Sequence, residues 1–211
     1  DHEDPEALIE RARALRPKLV YFANPDNPTG SWHDAATVER LIDAIPEETI
    51  LVLDEAYADL APEGSLPKIA LMRPNLLRFR TFSKAYGMAG VRVAYVVGEP
   101  ASVTQFDKVR NHFGVSRIAQ AGALAALVDQ AYLAEAIKKI ARAREELSAI
   151  ARRAGLTPLA SATNFVAIDC GGDGTYARTL LSAILQRGVF IRMPGVAPLD
   201  RISHIDVEAY S

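Results

Sequence analysis

Apolar and polar residues alternate along the first hundred positions in blocks that predict strands and helices in turn. The apolar run PKLVYFA at 17–23 leads into the turn-rich NPDNPTG, and DAATVERLIDAI at 34–45 has helical spacing with Asp34 as its N-cap. TILVLDEAY at 49–57 is apolar until it reaches two carboxylates, which is typical of a buried parallel strand whose end opens into a site. These blocks predict an α/β fold, an open sheet covered by helices.

Two further strands are predicted at NLLRFRTFS (75–83) and RVAYVVG (92–98), with only a loop between them. Beyond residue 100 the pattern becomes helical. ASVTQFDKVR at 101–110 and the span 116–155 carry apolar residues at intervals of three and four. Because the second span is too long for one ordinary helix, we divide it near Asp129–Tyr132.

The remaining segment predicts a smaller α+β C-terminal domain with the order αββαβ. Its elements after the long helix are strands at TPLA (157–160) and NFVAIDC (164–170), a helix near 175–187 and a strand at GVFIRM (188–193). The predicted domains are a large domain at 1–115, connecting helices at 116–154 and a small domain at 155–211.

Composition excludes several classes of partner. With 211 residues, 49% of them hydrophobic, the chain can bury a core, and 24 Lys and Arg against 26 Asp and Glu give a net charge of -2. That balance favours small-molecule partners over nucleic acid or a membrane. The single cysteine, Cys170, and the acidic start DHEDPEAL predict a soluble cytoplasmic protein without disulfides or a signal peptide. Since the histidines His33, His112 and His204 show no ligand spacing, we expect no metal site.

Side chains suited to chemistry stand at the ends of the strands predicted in the first domain. Asn27 lies in NPDNPTG, Asp54 and Tyr57 lie in DEAY, and Lys84 and Arg92 lie in SKAYGMAGVR. Ligands of open α/β sheets bind beyond the carboxyl ends of the strands, so we expect the three loops to converge. Taken alone, Lys84 would be a solvated surface lysine, whereas partners in two other loops favour a reactive role.

This set suits a planar aromatic aldehyde cofactor that bears a phosphate, a ring nitrogen and a phenolic oxygen. Lys84 would be the amine nucleophile that bonds to the aldehyde. Asp54 beside the ring nitrogen would keep it protonated, so that the ring accepts electrons when a substrate bond to Cα breaks. Asn27 and Tyr57 would bind the phenolic oxygen. The guanidinium of Arg92 and the hydroxyls of Thr81 and Ser83 would bind the phosphate.

The motifs NPDNPTG, DEAY and SKAYGMAGVR, in this order, resemble the pyridoxal-phosphate aminotransferases of fold type I, classes I and II. The histidinol-phosphate aminotransferase-like branch is the most similar, and the likeness runs from about residue 5 to residue 198. It implies a partial three-layer large domain that binds pyridoxal 5′-phosphate, with Lys84 as the Schiff-base lysine and then the proton shuttle. It further implies transamination between an amino donor, such as histidinol phosphate, and a 2-oxo acid, in a homodimer.

The resemblance also carries expectations about other positions. Arg192 in VFIRMPG would bind an acidic end of the substrate, Asn164 matches an NF pair at the start of a small-domain strand, and the Asn27–Pro28 bond would be cis. Similar proteins continue after APLDR into an xRxSxG strand whose arginine binds the α-carboxylate. This chain reads DRISHIDVEAYS, so Arg201 would fill that position only in a shifted register.

Two functions of different class remain open from the sequence. Similar proteins supply a glycine- and serine-rich phosphate turn and a stacking aromatic from a region upstream of NPDNPTG, and we expect this chain to begin partway through a longer product. One function is an aminotransferase or its catalytic core. The alternative is a non-catalytic or truncated module that binds the cofactor or an amino acid without turnover. A decarboxylase or lyase on the same scaffold is a further option, because substrate geometry decides which bond breaks.

Overall fold

The computed structural model of the chain describes residues 3–193 and the backbone of residues 202–205. Its larger sheet contains four strands in the spatial order of the chain: β1 (Leu19–Ala23), β2 (Ile50–Asp54), β3 (Leu76–Thr81) and β4 (Ala94–Gly98). The first three strands pair in parallel, and β4 pairs antiparallel to β3. This mostly parallel sheet confirms the predicted α/β fold class, and each strand lies within its predicted segment.

Two helices cover one face of the sheet, α1 (Pro5–Leu15) and α2 (Ala35–Ala44). Asp34 caps α2 as predicted, since its carboxylate accepts the backbone N–H of Thr37 at 2.7 Å. The predicted elements did not include α1, although Asp4 caps it in the same way and Pro5 lies in its first turn. The core between helices and sheet contains Ala12, Val20, Phe22, Val38, Leu41, Ile42, Ile45, Leu51, Leu53 and Leu76.

The opposite face of the sheet carries the side chains that matter for the site. Residues alternate along β1, so that Val20 and Phe22 are buried while Leu19 and Tyr21 are each 53% exposed. Near β3 this side is covered by α3 (Pro100–Val103) and a 3₁₀ turn at Thr104–Lys108. The segment predicted as helical at 101–110 is thus a short α-helix that tightens into 3₁₀ geometry.

The long helical span divides where the sequence predicts. α4 (Arg117–Val128) and α5 (Gln130–Arg153) meet at Asp129, whose carboxylate accepts the N–H of Tyr132 at 3.0 Å and caps the second helix. α5 ends just before Gly155, which takes a left-handed φ of 75°.

A second sheet follows, with three antiparallel strands in the order β5 (Thr157–Pro158), β6 (Val166–Asp169) and β7 (Ile202–Ile205). α6 (Gly174–Leu185) precedes β7. The predicted strand at 188–193 is wrong: this stretch forms only an isolated bridge at Arg192, and β7 supplies the third strand. Local β-propensity does not say which segment reaches the free edge of β6. The domain boundaries at 115 and 154 stay a prediction.

A buried ion cluster lies beside the site, at the carboxyl end of β2. Both oxygens of Glu55 accept hydrogen bonds from Arg78, at 2.5 and 3.2 Å, and Arg80 donates to the same carboxylate at 2.9 Å. The side chains of Glu55 and Arg78 are fully inaccessible to solvent. Adjacent strand residues point to opposite faces, so Glu55 faces the interior while its neighbour Asp54 faces the site.

None of the helices in the described part of the chain has both the length and the apolar character that crossing a bilayer requires.

Candidate active site

The loop after β1 and the loop after β2 meet through two polar side chains. The Nδ2 of Asn27 donates a hydrogen bond to the hydroxyl oxygen of Tyr57 at 3.0 Å, although thirty positions separate the two residues. Asn27 is exposed, whereas the ring of Tyr57 is buried. Parallel strands bring their carboxyl ends to the same edge of the sheet, and two donors therefore stand side by side there.

Lys84 joins this pair from a third loop. It follows β3 in a compact turn, in which the N–H of Gly87 donates to the carbonyl of Lys84 at 2.9 Å and the N–H of Met88 to that of Phe82 at 3.0 Å. The Nζ of Lys84 lies 5.0 Å from the centroid of the Tyr57 ring, within the range of a cation–π contact. Lys84 is half-buried. Asn27, Tyr57 and Lys84 are thus brought together as the sequence predicts.

Asp54, the last residue of β2, is held by two donors from this chain. Its Oδ1 accepts the backbone N–H of Ala56 at 2.9 Å, and its Oδ2 accepts the hydroxyl of Tyr21 at 2.6 Å. The first bond fixes the turn into the DEAY loop. The second comes from a residue that the sequence analysis did not single out, although its position on the exposed side of β1 is the signal that would have found it.

The hydroxyl residues at the end of β3 form one small group. The hydroxyl of Thr81 donates to the Oγ of Ser83 at 3.0 Å, and its oxygen accepts the backbone N–H of Ser83 at 3.1 Å. Arg92 lies two residues before β4 and has a left-handed φ of 58°, and its guanidinium donates to the carbonyl of Ala89 at 2.8 Å. A backbone hydrogen bond links the two sides of the hairpin at this point, since the N–H of Phe82 donates to the carbonyl of Val93 at 3.3 Å. The predicted phosphate contacts therefore come from the same end of one hairpin.

The expectation of a cis bond at Asn27–Pro28 is wrong. The cis bond in the described residues is Asn24–Pro25, at the start of the same loop. Asn24 is buried, and its side-chain amide donates to the carbonyl of Ser65 at 2.9 Å and accepts the N–H of His33 at 2.8 Å. These bonds fix the loop from its buried end and leave Asn27 at the exposed tip.

The segment between β5 and β6 contacts the site. Phe165 packs edge-on against Tyr57, with 5.6 Å between ring centroids and an interplanar angle of 84°. The carbonyl of Gly30, at the end of NPDNPTG, accepts the N–H of Ala162 at 2.8 Å. The sequence pattern NF pointed only weakly to the neighbouring Asn164, which is half-buried, and gave no role to Phe165. The ring of Tyr57 is therefore contacted by the side chains of both Lys84 and Phe165.

Replacing Gly30 with alanine is expected to loosen this contact and to lower the free energy of unfolding by about 3 kcal/mol. Gly30 has a φ of 78°, and a Cβ there would stand 2.6 Å from the Oγ of Ser161. Gly64→Ala is the matched control, because Gly64 has a φ of 81° with no atom near its Cβ position. Chemical denaturation of both variants separates backbone strain, about 1 kcal/mol, from the clash. Equal losses would show that the Ser161 contact does not hold the loop.

Two further arginines, Arg192 and Arg201, are predicted to bind the substrate. Arg192 follows α6 on a different segment, and its side chain is exposed. Arg201 lies outside the described residues. The roles of both arginines stay predictions.

The acidic side chains of Glu3, Asp26 and Asp54 lie on the Asp54 side of the site. Burial, together with the charges of Asp26 and Asp54, raises the pKa of Glu3 to about 7. Partial burial and the hydrogen bond to Asp54 raise the pKa of Tyr21 above its ordinary value. A carboxylate in such surroundings favours a cation as its next partner. Among residues 3–193, no three His, Cys, Asp or Glu side chains are grouped as metal ligands are.

Comparison with known proteins gives concordant matches. The family model for aminotransferase class I and II matches residues 1–206. Histidinol-phosphate aminotransferase 1 from Cupriavidus pinatubonensis is 39% identical over 181 residues, which are 84% of this chain and 48% of that protein. The histidinol-phosphate aminotransferase of an Anaeromyxobacter species is 40% identical over 195 residues, 90% of this chain and 52% of that protein.

Among solved structures, histidinol-phosphate aminotransferase from Sinorhizobium meliloti in complex with pyridoxal-5′-phosphate matches with a TM-score of 0.94 and 53% identity. The match covers 97% of this chain and 56% of that one. The chain spans about half the length of the curated relatives it matches.

Proposed function

Because the chain belongs to the aminotransferase class I and II family, and its sheet has the architecture of the fold-type I large domain, we propose that it takes part in pyridoxal-phosphate-dependent transamination. The amino donor is an amino acid or an amino-phosphate such as histidinol phosphate, and the acceptor is a 2-oxo acid. Family membership confirms the resemblance stated from the motifs. The convergence of Asn27, Tyr57 and Lys84 from three loops is the observation that carries the proposal.

The donor set fits the cofactor. A phenolic oxygen needs donors, and Asn27 and Tyr57 stand within 3.0 Å of each other at one edge of the site. An aldehyde needs an amine, and Lys84 lies above the Tyr57 ring. A pyridine nitrogen needs an anion, and Asp54 keeps acceptor capacity on Oδ2 beyond the bond from Tyr21. The phosphate would be bound by Thr81, Ser83 and Arg92.

When bound, pyridoxal phosphate supplies an electron sink that stabilises the carbanion formed at the substrate Cα. Lys84 would hold the cofactor through its amine, and its Nζ would be the base that carries the proton removed from the substrate Cα. Asp54 holds the proton on the ring nitrogen. Asn27 and Tyr57 would orient the ring, and Phe165 packs edge-on against the Tyr57 ring.

The 53% identity to a histidinol-phosphate aminotransferase supports an amino donor with an anionic end. Arg192 is exposed on the segment after α6, and a guanidinium suits a phosphate or a carboxylate there. In this proposal Arg192 binds the acidic end of the donor.

Location and assembly belong to the same proposal. The one cysteine of the sequence, Cys170, is buried, and a chain with a single cysteine supports a reducing compartment such as the cytoplasm. The relatives' shared family supports a homodimer, as do the exposed apolar side chains of Val109, Phe113 and Ile118, which are 82%, 93% and 84% accessible.

Absorption spectroscopy with added pyridoxal phosphate tests the function. Binding through Lys84 should give a visible band, and histidinol phosphate should bleach it as the amino group moves to the cofactor; a 2-oxo acid should then restore it. A band that no amino donor bleaches would favour the non-catalytic module. Carbon dioxide release with bleaching would instead favour a decarboxylase.

A further inference from the structure

The strand register brings Tyr21 and Asp54 to the same face of the sheet. Ala23 pairs with Asp54, and Tyr21 pairs with Val52. Since side chains two positions apart share a face, Tyr21 stands diagonally across from Asp54 on neighbouring strands. A tyrosine is long enough to span such a diagonal, and its hydroxyl reaches the carboxylate at 2.6 Å.

The contact has the geometry of a charge-assisted hydrogen bond. An O–H donor to a carboxylate anion bonds at about 2.5–2.7 Å, shorter than a bond between neutral groups. Asp54 then has one oxygen bound to the N–H of Ala56 and the other to Tyr21, which fixes the carboxylate plane. One lone pair of Oδ2 stays available in that plane.

The surroundings keep Tyr21 a neutral donor. Burial first, and then its hydrogen bond to Asp54 and the nearby charges of Glu3 and Asp26, raise the pKa of this phenol. The same anions make the site favour a cation as the next partner of Asp54. Among the described residues, the Tyr21 hydroxyl and the Ala56 amide donate hydrogen bonds to the Asp54 carboxylate.

We propose that Tyr21 is a positioning residue, and this inference rests on the proposed function. Tyr21 holds the Asp54 carboxylate as an anion and orients it towards the protonated ring nitrogen of the cofactor. A donor to a carboxylate stabilises its charged form. With Tyr21 in place the shared proton stays on the ring nitrogen, and the ring keeps its full capacity to accept electrons. Without Tyr21 the Asp54 anion loses one of its two donors, and it holds the proton on the ring nitrogen less firmly.

The test compares Tyr21→Phe with Tyr176→Phe. Tyr176 lies on α6, far along the chain from the site, and is 50% exposed against 53% for Tyr21, so the control removes a hydroxyl of similar accessibility. In the chain loaded with ¹⁵N-labelled pyridoxal phosphate, Tyr21→Phe should move the ring-nitrogen resonance towards the unprotonated position. The rate of the amino-donor half-reaction should fall about 10-fold with KM unchanged, as expected for one lost hydrogen bond to a charged group.

A second arm needs no cofactor. The ultraviolet titration curve of Tyr21→Phe, subtracted from that of the wild-type chain, gives the titration of the Tyr21 phenol alone. In the Asp54→Asn background the titration of this phenol should move back towards that of an ordinary tyrosine. If Asp54→Asn leaves the titration of the Tyr21 phenol unchanged, the hydrogen bond between Tyr21 and Asp54 is wrong.

The outcomes separate the two proposals. If the wild-type chain binds pyridoxal phosphate while Tyr21→Phe behaves like Tyr176→Phe in resonance and rate, only the positioning role is wrong. Tighter cofactor binding by Tyr21→Phe would overturn that role too, because the hydroxyl would then occupy the place of the ring. If the wild-type chain shows no cofactor band at all, the proposed function fails and the positioning role with it.

Discussion

Replacing Lys84 with alanine is expected to abolish covalent attachment of pyridoxal phosphate and to lower the transamination rate by about 10³-fold or more. Lys84 performs two tasks in the proposed chemistry, as the nucleophile and as the proton carrier, and no other lysine stands at the Tyr57 ring among the described residues. Reduction with borohydride followed by mass spectrometry measures the attachment directly. In the wild-type chain the added mass should map to residue 84.

Lys138→Ala is the control, since Lys138 is exposed on α5 and makes no contact with the site loops that the structure records. A small added amine should restore part of the lost rate in Lys84→Ala, because it can take over the proton transfer. Full activity in Lys84→Ala would show that Lys84 is neither the nucleophile nor the proton carrier.

The largest loss of stability is expected for Glu55→Gln, which should lower the free energy of unfolding by about 4 kcal/mol. The substitution leaves the Arg78 guanidinium fully buried without its anion and deprives Arg80 of the same partner. For a chain of this size such a loss lowers the melting temperature by roughly 10 °C. Thermal and chemical unfolding measure both quantities.

Glu146→Gln provides the matched comparison. Glu146 pairs with Arg142 on the surface of α5, where both side chains are more than half exposed, so its loss should cost about 0.4 kcal/mol. Combining Glu55→Gln with Arg78→Gln should cost less than the sum of the single substitutions, because the double variant has no unpaired charge from this pair. Additive losses would mean that the buried pair is not coupled.

The buried cluster also explains why Asp54 and Glu55 have different tasks despite being neighbours. Glu55 points into the protein, where two arginines hold it, while Asp54 points to the open side with Tyr21. The cluster anchors the end of β2 to β3, since Arg78 and Arg80 lie on that strand. Loss of the cluster is therefore expected to displace Asp54, and Glu55→Gln should weaken cofactor binding as well as stability.

Much of the fold follows from local patterning. Four strands, the capped helix after Asp34 and the break at Asp129 each depend on residues that are close in sequence, and the structure contains all of them. The helix at Pro5–Leu15 was missed even though Asp4 and Pro5 gave the usual start signal. The strand predicted at 188–193 failed for the opposite reason, because its apolar composition suits a strand but β7 took the edge of β6.

By itself the sequence determined most of the elements and the family, and it predicted the reactive groups, because spacing, caps and motifs are local properties of the chain. Tertiary structure alone decided which distant groups touch: Tyr21 on Asp54, Phe165 on Tyr57, and Glu55 on Arg78. These contacts depend on strand register and on the packing of one sheet against another. A register is chosen by the burial of whole faces, and no short stretch of sequence contains that information.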